Sequence, residues 1–333
     1  MTTTKQVRLA KRPQGLPDAD TWSVVTEELP AVGAGEILVK VGLISIDPAM
    51  RGWLNDVRSY LPPVGIGEVM RSLDIGTVVE SSHPDLAVGE TVSGTFGVAE
   101  YAISDGSGVQ RVDLDVASAA TWLGALGITG MTAYFGLLDI GKVQAGETVL
   151  ISAAAGAVGS VAGQIAKALG AKVIGIAGGP EKCRMLVEEL GFDLAIDYRS
   201  EDVLRRLREL APGGVDVFFD NVGGEILDAA LANLRRGARV VLSGAIASYN
   251  AAKPPPGPSR YMSLLVFRAS MTGFVVFDYA DRYGEAIEKI SQWLAEGKIK
   301  TREHVVEGGV AEFGRALEML FTGANTGKLL LAV

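Results

Sequence analysis

The sequence is poor in the residues that form covalent cross-links and metal sites. It contains one cysteine, Cys183, and two histidines, His83 and His304, among 333 residues. A single cysteine excludes an internal disulfide and any zinc site built from several thiolates. These three residues cannot supply the usual ligands of a zinc centre. We therefore predict that the functional site of this protein contains no metal. Low cysteine usage and an N-terminal stretch without an apolar signal-peptide core lead us to expect a cytoplasmic location.

Positive charge is also scarce. The 31 Lys and Arg residues are outnumbered by 39 Asp and Glu residues, which gives a net charge of −8. No basic run or face is apparent, so nucleic acid is not expected as a partner. Residues 116–138 and 148–166 lack charge and are long enough to cross a bilayer. Both are rich in Gly, Ala, Ser and Thr, which transfer weakly into lipid, so we predict buried elements and no membrane association.

Short apolar runs divide the chain into regions. Residues 1–122 contain short runs separated by Gly, Pro and Asp, which predicts a small, mostly β domain in the form of a partly open barrel. In residues 123–299 apolar runs alternate with helical segments, which predicts a doubly wound parallel α/β sheet covered on both faces. Residues 300–333 fit a return to the first domain. The Pro-rich segment 253–261 is predicted to be a loop.

The predicted elements have the following bounds. Strands are expected at 36–45, 74–81, 90–96 and 98–104 in the first region, and at 147–154, 171–178, 193–198, 215–224, 239–246 and 270–277 in the second. Helices are expected at 161–170, 180–190 and 201–210, and a last strand at 327–333.

Residues 151–179 are close to a dinucleotide-binding turn. The usual fingerprint is G-x-G-x-x-G/A between a strand and a helix; here Ala154 occupies the first slot, while Gly156 and Gly159 hold the others. Alanine is acceptable in the first slot if its φ stays negative. The other two positions are where the backbone approaches the pyrophosphate and where the helix packs on the strand. The loop can therefore open a helix whose N–H groups receive a phosphate, although a glycine-rich turn without a ligand has the same pattern.

The residues after the second strand of this region indicate which dinucleotide fits. An NAD site has an acid there that binds the ribose 2′-hydroxyl, and this sequence has none. The strand ends in Ala-Gly-Gly, and Lys182 follows within one helical turn. Glycines leave room for a phosphate and a cation stabilises it, so NADP is predicted over NAD. The alternative for Lys182 is a solvated helix residue.

Several motifs, in a fixed order over essentially the whole chain, resemble one family. They are GMTAYFGLLDIG at 130–141, AAAGAVGSVAGQIAK at 153–167, DNVGGE at 220–225, SGAIASYN at 243–250, GFVVFDY at 273–279 and GANTGKLLL at 323–331. They resemble the zinc-independent branch of the medium-chain dehydrogenase/reductases, and within it the NADPH-dependent alkenal double-bond reductases, which include prostaglandin and curcumin reductases. The resemblance implies a Rossmann domain joined to a GroES-like catalytic domain. It also implies a homodimer that pairs through edge strands, here residues 270–277.

The resemblance also implies the cofactor contacts. By motif position they fall on Gly156, Ala157, Val158, Gly159, Lys182, Tyr198, Asn221, Ser243, Gly244, Ala245, Ile246, Ala247, Ser248, Tyr249, Phe274, Val275, Val276 and Asn325. Lys182 and Tyr198 would serve the 2′-phosphate, while Phe274–Val276 and Asn325 would lie near the nicotinamide. From the residues alone, Tyr198 could equally be a packed tyrosine and Asn221 a turn residue.

The implied chemistry needs no metal. Hydride attacks the β-carbon of an enal or enone, negative charge builds on the carbonyl oxygen, and a proton must reach the α-carbon. Tyr249 is the candidate for stabilising that charge or delivering the proton, with positioning of the nicotinamide ribose as the alternative. Tyr60 and Tyr261 are candidates for the substrate pocket, although buried or rim packing is favoured for each. A quinone reductase and a catalytically silent NADPH-binding regulator are the alternative functions.

Overall fold

The chain divides into two units. The computed structural model describes residues 2–253 and 255–333, so Pro254 of the predicted loop lies outside the described residues. One unit comprises Met1–Leu123 with Glu303–Val333, and the other comprises Gly124–Arg302. The predicted boundaries fall one residue before the first of these divisions and three before the second.

The helices and strands are numbered in chain order. The strands are β1 (Thr3–Leu9), β2 (Trp22–Glu28), β3 (Ile37–Ile46), β4 (Asp74–Ser81), β5 (Thr91–Gly94), β6 (Tyr101–Ser104), β7 (Gln110–Arg111), β8 (Thr148–Ile151), β9 (Lys172–Ala177), β10 (Leu194–Asp197), β11 (Val215–Asp220), β12 (Leu234–Leu242), β13 (Ser270–Gly273), β14 (Glu303–Val306) and β15 (Lys328–Ala332). The α-helices are α1 (Ala49–Trp53), α2 (Ala119–Leu123), α3 (Ile128–Phe135), α4 (Ala157–Ala168), α5 (Pro180–Glu188), α6 (Val203–Leu210), α7 (Gly224–Leu231), α8 (Met262–Phe267), α9 (Tyr283–Ala295) and α10 (Phe313–Thr322). Short 3-10 segments include Ile246–Ser248 and Val276–Arg282.

The first unit is built on a mostly antiparallel sheet. Its order is β14-β15-β3-β4-β5-β7, with β6 also paired to β3, and only β14 and β15 run parallel. A separate hairpin joins β1 to β2, with Leu9 opposite Trp22. Buried side chains such as Ile44, Met50 and Phe313 form the core of this first unit. The hairpin was not predicted, because β2 is largely exposed and lacks a continuous apolar run.

The second unit holds a six-stranded parallel sheet. Its order is β10-β9-β8-β11-β12-β13, which is the 3-2-1-4-5-6 order of the Rossmann fold. Every residue of β11 is buried, as expected of a central strand covered on both faces. The predicted fold class, a Rossmann sheet with a second, mostly β domain, is confirmed.

Several predicted element boundaries in this unit are wrong. Strands β11 and β12 end at Asp220 and Leu242, each four residues before the predicted end. Helix α4 begins at Ala157 and not at residue 161, because Gly156 is its N-cap and small residues continue into its first turn. Strand β12 begins at Leu234, where exposed arginines and a glycine conceal the strand pattern. Strand β13 ends at Gly273, and the chain turns into a 3-10 segment at Val276.

The two uncharged stretches are ordinary elements of the fold. Residues 116–138 contain α2 and α3, and residues 148–166 contain β8 and most of α4. Among the described residues, no helix combines the length and apolar character needed to cross a membrane.

Candidate cofactor site

The predicted cofactor residues of the Rossmann unit follow the carboxyl ends of its strands. Gly156–Gly159 come after β8, Lys182 after β9, Tyr198 after β10, Asn221 after β11, Ser243–Tyr249 after β12 and Phe274–Val276 after β13. Since these strands are parallel, their carboxyl ends share one edge of the sheet, which is where α/β sheets bind ligands. The structure therefore brings this set of residues to a single edge.

The loops after β8 and β11 are tied together where the strand order reverses. The Ser152 hydroxyl donates to Asp220 Oδ1 at 2.8 Å and accepts from the Asn221 backbone N–H at 2.8 Å. The Asn221 side-chain amide donates to the Ser152 carbonyl oxygen at 2.8 Å. Asn221 thus joins two loops of the candidate site through both its backbone and its side chain.

Asp220 organises this edge of the sheet, and the sequence reasoning missed it. Its buried carboxylate also accepts from the backbone N–H groups of Val222 and Gly223, at 2.9 and 3.1 Å. Its carbonyl oxygen accepts from the N–H groups of Ser243 and Gly244. Burial raises the pKa of Asp220, and the hydrogen bonds to its carboxylate oppose that shift. The DNVGGE motif contained this residue, but nothing in it distinguished Asp220 from the end of a strand.

The turn between β8 and α4 has the geometry of a phosphate-binding loop. A Cβ atom on Gly159 would lie 2.4 Å from the Ala153 carbonyl oxygen, so only glycine permits this approach of helix to loop. At Gly156 the nearest atom would lie 3.1 Å away, and no side chain caps the helix at that residue. Positive φ falls on Ala153, at 47°, and not on Ala154. The N–H groups at the start of this 12-residue helix thus suit a pyrophosphate.

Two glycines after β9 make room for side chains from the next strand. A Cβ atom on Gly178 would lie 2.9 Å from both the Tyr198 hydroxyl and Arg199 Nε. Gly179 has φ 96°, a conformation that favours glycine, and α5 begins directly after it. Lys182 lies in the first turn of α5, half-buried. Burial lowers the pKa of Lys182, and the charge of Arg199 lowers it further.

A carboxylate at the end of β10 holds the loops after β9 and β10 in place. Asp197, the last residue of β10, accepts hydrogen bonds from the Gly179 N–H at 2.7 Å, the Arg199 N–H at 3.0 Å and the Ser200 hydroxyl at 2.8 Å. Burial raises the pKa of Asp197, but these hydrogen bonds outweigh burial and hold it below its usual value. Asp197 therefore stays ionised and fixes the loop that carries Tyr198 and Arg199.

Tyr249 ends a short 3-10 turn and contacts its own loop. Its hydroxyl oxygen accepts from the Ala245 backbone N–H at 3.2 Å, and the Ser248 hydroxyl donates to the Ala245 carbonyl at 2.8 Å. The Tyr249 contact uses an oxygen lone pair and not the O–H proton. This geometry fits both a positioning role and a proton-donating role.

The other predicted residues have different surroundings. Asn325 and Tyr60 belong to the first unit; Asn325 is buried and donates to the Gly327 carbonyl at 3.1 Å. Tyr60 and Tyr261 are 52% and 60% exposed, which excludes buried packing and is compatible with rim packing. Their role as substrate-pocket residues stays a prediction. Phe274 packs edge-on against Tyr279, with ring centroids 6.3 Å apart.

Known proteins match the chain over nearly its full length. Residues 5–112 match the family described as "N-terminal domain of oxidoreductase", and residues 157–292 match "Zinc-binding dehydrogenase". A putative NADP-dependent oxidoreductase of Bacillus subtilis (strain 168) is 42% identical over 99% of this chain and 97% of its own length. The NADPH-dependent curcumin reductase of Escherichia coli (strain K12) is 39% identical over 98% and 95%. The crystal structure of CurA in complex with NADPH from Vibrio vulnificus superposes with a TM-score of 0.94, at 42% identity and 99% coverage of both chains.

The chain belongs to the NADPH-dependent double-bond reductases of the medium-chain dehydrogenase/reductase family. The predicted resemblance is therefore confirmed. One matching family carries zinc in its description, yet within the described residues no group of three or more His, Cys, Asp or Glu side chains is arranged to hold a metal. Independence from zinc stays a prediction from the sequence.

The cofactor preference can be tested at Lys182. Replacing this residue, Lys182→Ala, is expected to weaken NADPH binding by about 1.5–3 kcal/mol, the range for a charge-assisted hydrogen bond. NADH binding should hardly change, because NADH lacks the 2′-phosphate. Dissociation constants for both cofactors can be measured by fluorescence titration, with Arg184→Ala on the same helix as a control. Equal affinity of the unmodified protein for NADPH and NADH would contradict this prediction.

Proposed function

We propose that this enzyme uses NADPH to reduce the C=C bond of α,β-unsaturated aldehydes and ketones. One observation carries the proposal. The phosphate-binding loop, Lys182 and Tyr198 all lie at the carboxyl ends of neighbouring strands in a Rossmann sheet. Relatives named as an NADP-dependent oxidoreductase and a curcumin reductase support both the cofactor and the class of reaction. Bound NADPH supplies the hydride that adds to the β-carbon.

The residues of the chain bind and orient that cofactor. The N–H groups at the start of α4 would bind the pyrophosphate, and Gly159 allows the helix to approach the loop closely. Lys182 and Tyr198 would bind the 2′-phosphate. Residues 243–249 and 274–276 lie along the same edge and are proposed to bind the nicotinamide half of the cofactor.

Tyr249 is proposed to stabilise the negative charge on the substrate's carbonyl oxygen and to deliver the proton. As negative charge develops on the enolate oxygen, a hydroxyl donor aimed at it stabilises the transition state. The same hydroxyl can pass its proton towards the α-carbon. The contact with Ala245 supports this role, because it holds the oxygen in place through a lone pair.

Replacing Tyr249 by phenylalanine separates the two roles of the residue. If the hydroxyl acts on the enolate, Tyr249→Phe should lower kcat at saturating NADPH by about 10²–10³, the usual cost of losing one oxyanion donor. If Tyr249 only positions the ribose, the Kd for NADPH should rise and kcat should stay nearly unchanged. Tyr101→Phe, which removes a hydroxyl group from a tyrosine of β6 in the first unit, is the matched control and should change neither value. Unchanged kcat and Kd would exclude both roles.

A substrate panel tests the proposed function itself. NADPH oxidation should be rapid with enals and enones, slower with quinones, and unaffected by prolonged chelation. The product should carry the hydride from NADPH on the β-carbon, which deuterium labelling and NMR can locate. Faster turnover of quinones would favour the quinone-reductase alternative, and no turnover of any acceptor would favour the silent regulator. Loss of activity on removal of a bound zinc would overturn the metal-free mechanism.

We also propose that the enzyme is located in the cytoplasm and forms a homodimer. In this dimer, strand β13 of one subunit pairs with β13 of the other. This strand is at the edge of the parallel sheet. The helix before it, α8, carries exposed apolar residues, among them Met262, Leu265 and Val266. An edge strand beside apolar side chains is suited to pairing with a second copy.

Sedimentation analysis tests this assembly. The unmodified protein should sediment as a dimer at micromolar concentration. Leu265→Lys should weaken the dimer by about tenfold or more, because a buried leucine contributes roughly 1.5–3 kcal/mol. Val88→Lys, an equally exposed position in the first unit, should have no effect. A monomeric parent protein would contradict the proposal.

A further inference from the structure

We infer that Tyr283 is a positioning residue for hydride transfer. Its hydroxyl holds the carbonyl group of Val276 and thereby fixes the segment Phe274–Val276, which follows β13. The inference rests on the proposed function, in which this segment binds the nicotinamide half of NADPH. It adds a residue that lies outside the family motifs.

The segment Phe274–Val276 connects two elements of the fold. Strand β13 ends at Gly273 and a 3-10 segment begins at Val276, while Val275 between them is extended, with φ −121° and ψ 125°. The Asp278 N–H donates to the Val275 carbonyl oxygen at 3.1 Å, which closes a local turn. A local turn does not fix the segment relative to the sheet. That requires contacts from residues further along the chain.

Tyr283 supplies such a contact. It is the first residue of α9, and its hydroxyl donates to the Val276 carbonyl oxygen at 3.0 Å. Tyr283 is half-buried and Val276 is buried, so the bond lies partly out of water, where it is stronger. Burial, together with the charge of Asp278, raises the pKa of Tyr283 to about 12. The hydroxyl therefore stays protonated at neutral pH and remains a donor.

The Phe274 ring is held by a second set of contacts. Gly136 leaves space for it, because a Cβ atom there would lie 2.9 Å from Phe274 Cζ and 2.5 Å from a ring carbon of Phe219. Gly136 begins a π-helical turn, Gly136–Ile140, and such turns are rare and occur often at functional sites. Tyr279 packs edge-on against Phe274, with ring centroids 6.3 Å apart. The Phe274 ring is thus confined by Gly136 and Tyr279.

Arg282, the residue before Tyr283, anchors the start of α9. Its guanidinium carbon lies 5.0 Å from the ring centroid of Phe135 and 5.9 Å from that of Tyr279, and these two rings stack at 4.5 Å. Arg282 also forms an ion pair with Asp139 of the π-helical turn. Each of these exposed contacts is weak alone, but together they join the π-helical turn to the helix that carries the tyrosine. The hydroxyl of Tyr283 is therefore presented from a fixed backbone.

Placement of the nicotinamide affects the rate of hydride transfer more than the affinity for the cofactor. The reacting atoms must approach to about 3–3.5 Å, and a displacement of about 1 Å can cost about 10²-fold in rate. Most of the affinity is proposed to come from the phosphate groups, which bind after β8, β9 and β10. Loss of the Tyr283 hydroxyl should therefore lower kcat and leave binding of the phosphate-bearing half of the cofactor unchanged.

Hydrogen exchange tests the contact in the free protein. In Tyr283→Phe, the backbone N–H groups of residues 274–279 should exchange about fivefold faster, the effect of losing one hydrogen bond of ordinary strength. NADPH bound to this variant should also show a lower anisotropy of its nicotinamide fluorescence, because the ring is less restrained. Tyr101→Phe, which removes a tyrosine hydroxyl from β6, should change neither measurement.

Kinetics with an enal substrate test the consequence for the reaction. At saturating NADPH, Tyr283→Phe should lower kcat by about tenfold, because the reacting atoms are held less precisely. The primary isotope effect should increase with NADPH deuterated at the transferred position of C4, since hydride transfer then limits the rate more fully. The Kd for adenosine 2′,5′-bisphosphate, which lacks the nicotinamide, should not change.

Variants of Arg282 give a second, independent series. Arg282→Met removes the charge but keeps an apolar chain over the rings, and it should change exchange, anisotropy and kcat in the same direction as Tyr283→Phe, by less. Arg282→Lys should restore part of each loss. Arg205→Met is the matched control, because it removes an exposed ion pair with Glu209 on α6 and should alter none of these values.

The outcomes separate this inference from the proposed function. Unchanged exchange in Tyr283→Phe would overturn the inference, and so would faster exchange with unchanged anisotropy and kcat. A weaker affinity for adenosine 2′,5′-bisphosphate would show a general structural effect and would also overturn it. In all these cases the parent protein still reduces enals, so the proposed function stands.

Failure of the proposed function has a different signature. A parent protein that binds NADPH but turns over no enal would contradict that function, while exchange and anisotropy would still decide whether Tyr283 positions the nicotinamide. Melting temperatures establish that each variant is folded. If Tyr283→Phe does not fold, the Arg282 series decides the inference by the same measurements.

Discussion

The hydrogen bonds of Asp220 hold together the loops at the carboxyl ends of the parallel strands, where the candidate cofactor site lies. This edge of the sheet is called the cofactor edge below. One buried residue at the end of β11 binds the Ser152 hydroxyl and two N–H groups of its own loop through its carboxylate, and two N–H groups after β12 through its carbonyl oxygen. It thereby sets the loops after three neighbouring strands. Each donor would cost about 1–3 kcal/mol if it were buried without a partner, so the loops have one favourable arrangement. That arrangement places the helix α4 turn and residues 243–249 along the same edge.

A second carboxylate, Asp197, holds the loops together in the same way at the β10 end of this edge. Both carboxylates accept hydrogen bonds from neighbouring loops. In an NAD site an acid after the second strand binds a ribose hydroxyl. Here the same place is taken by two glycines, with Lys182 beyond them and Tyr198 and Arg199 beside them. The lack of an acid directly after β9 and the presence of Lys182 both favour a phosphorylated ribose.

The sequence predicted the Rossmann unit better than the rest because burial on both faces leaves a simple pattern. β11 is buried along its whole length and appears as one apolar run, and the glycines of the phosphate loop have fixed spacing. The hairpin of β1 and β2 was missed because its strands are half polar. Asp220 was missed for another reason. Its role depends on contacts between residues that are far apart along the chain, such as Ser152 with Asp220, and no local pattern reports such contacts.

Tyr249 shows how one contact can serve both structure and chemistry. Its oxygen accepts from the Ala245 N–H, which fixes the distance between the tyrosine and a loop that follows β12. A hydroxyl that accepts a hydrogen bond becomes a better donor, because the two bonds polarise each other. The interaction that orders the loop therefore also strengthens the O–H group for donation to an oxygen that gains negative charge. Since the loop is anchored in turn by the bonds of Ser243 and Gly244 to Asp220, the same buried residue that shapes the cofactor edge also positions the proposed proton donor.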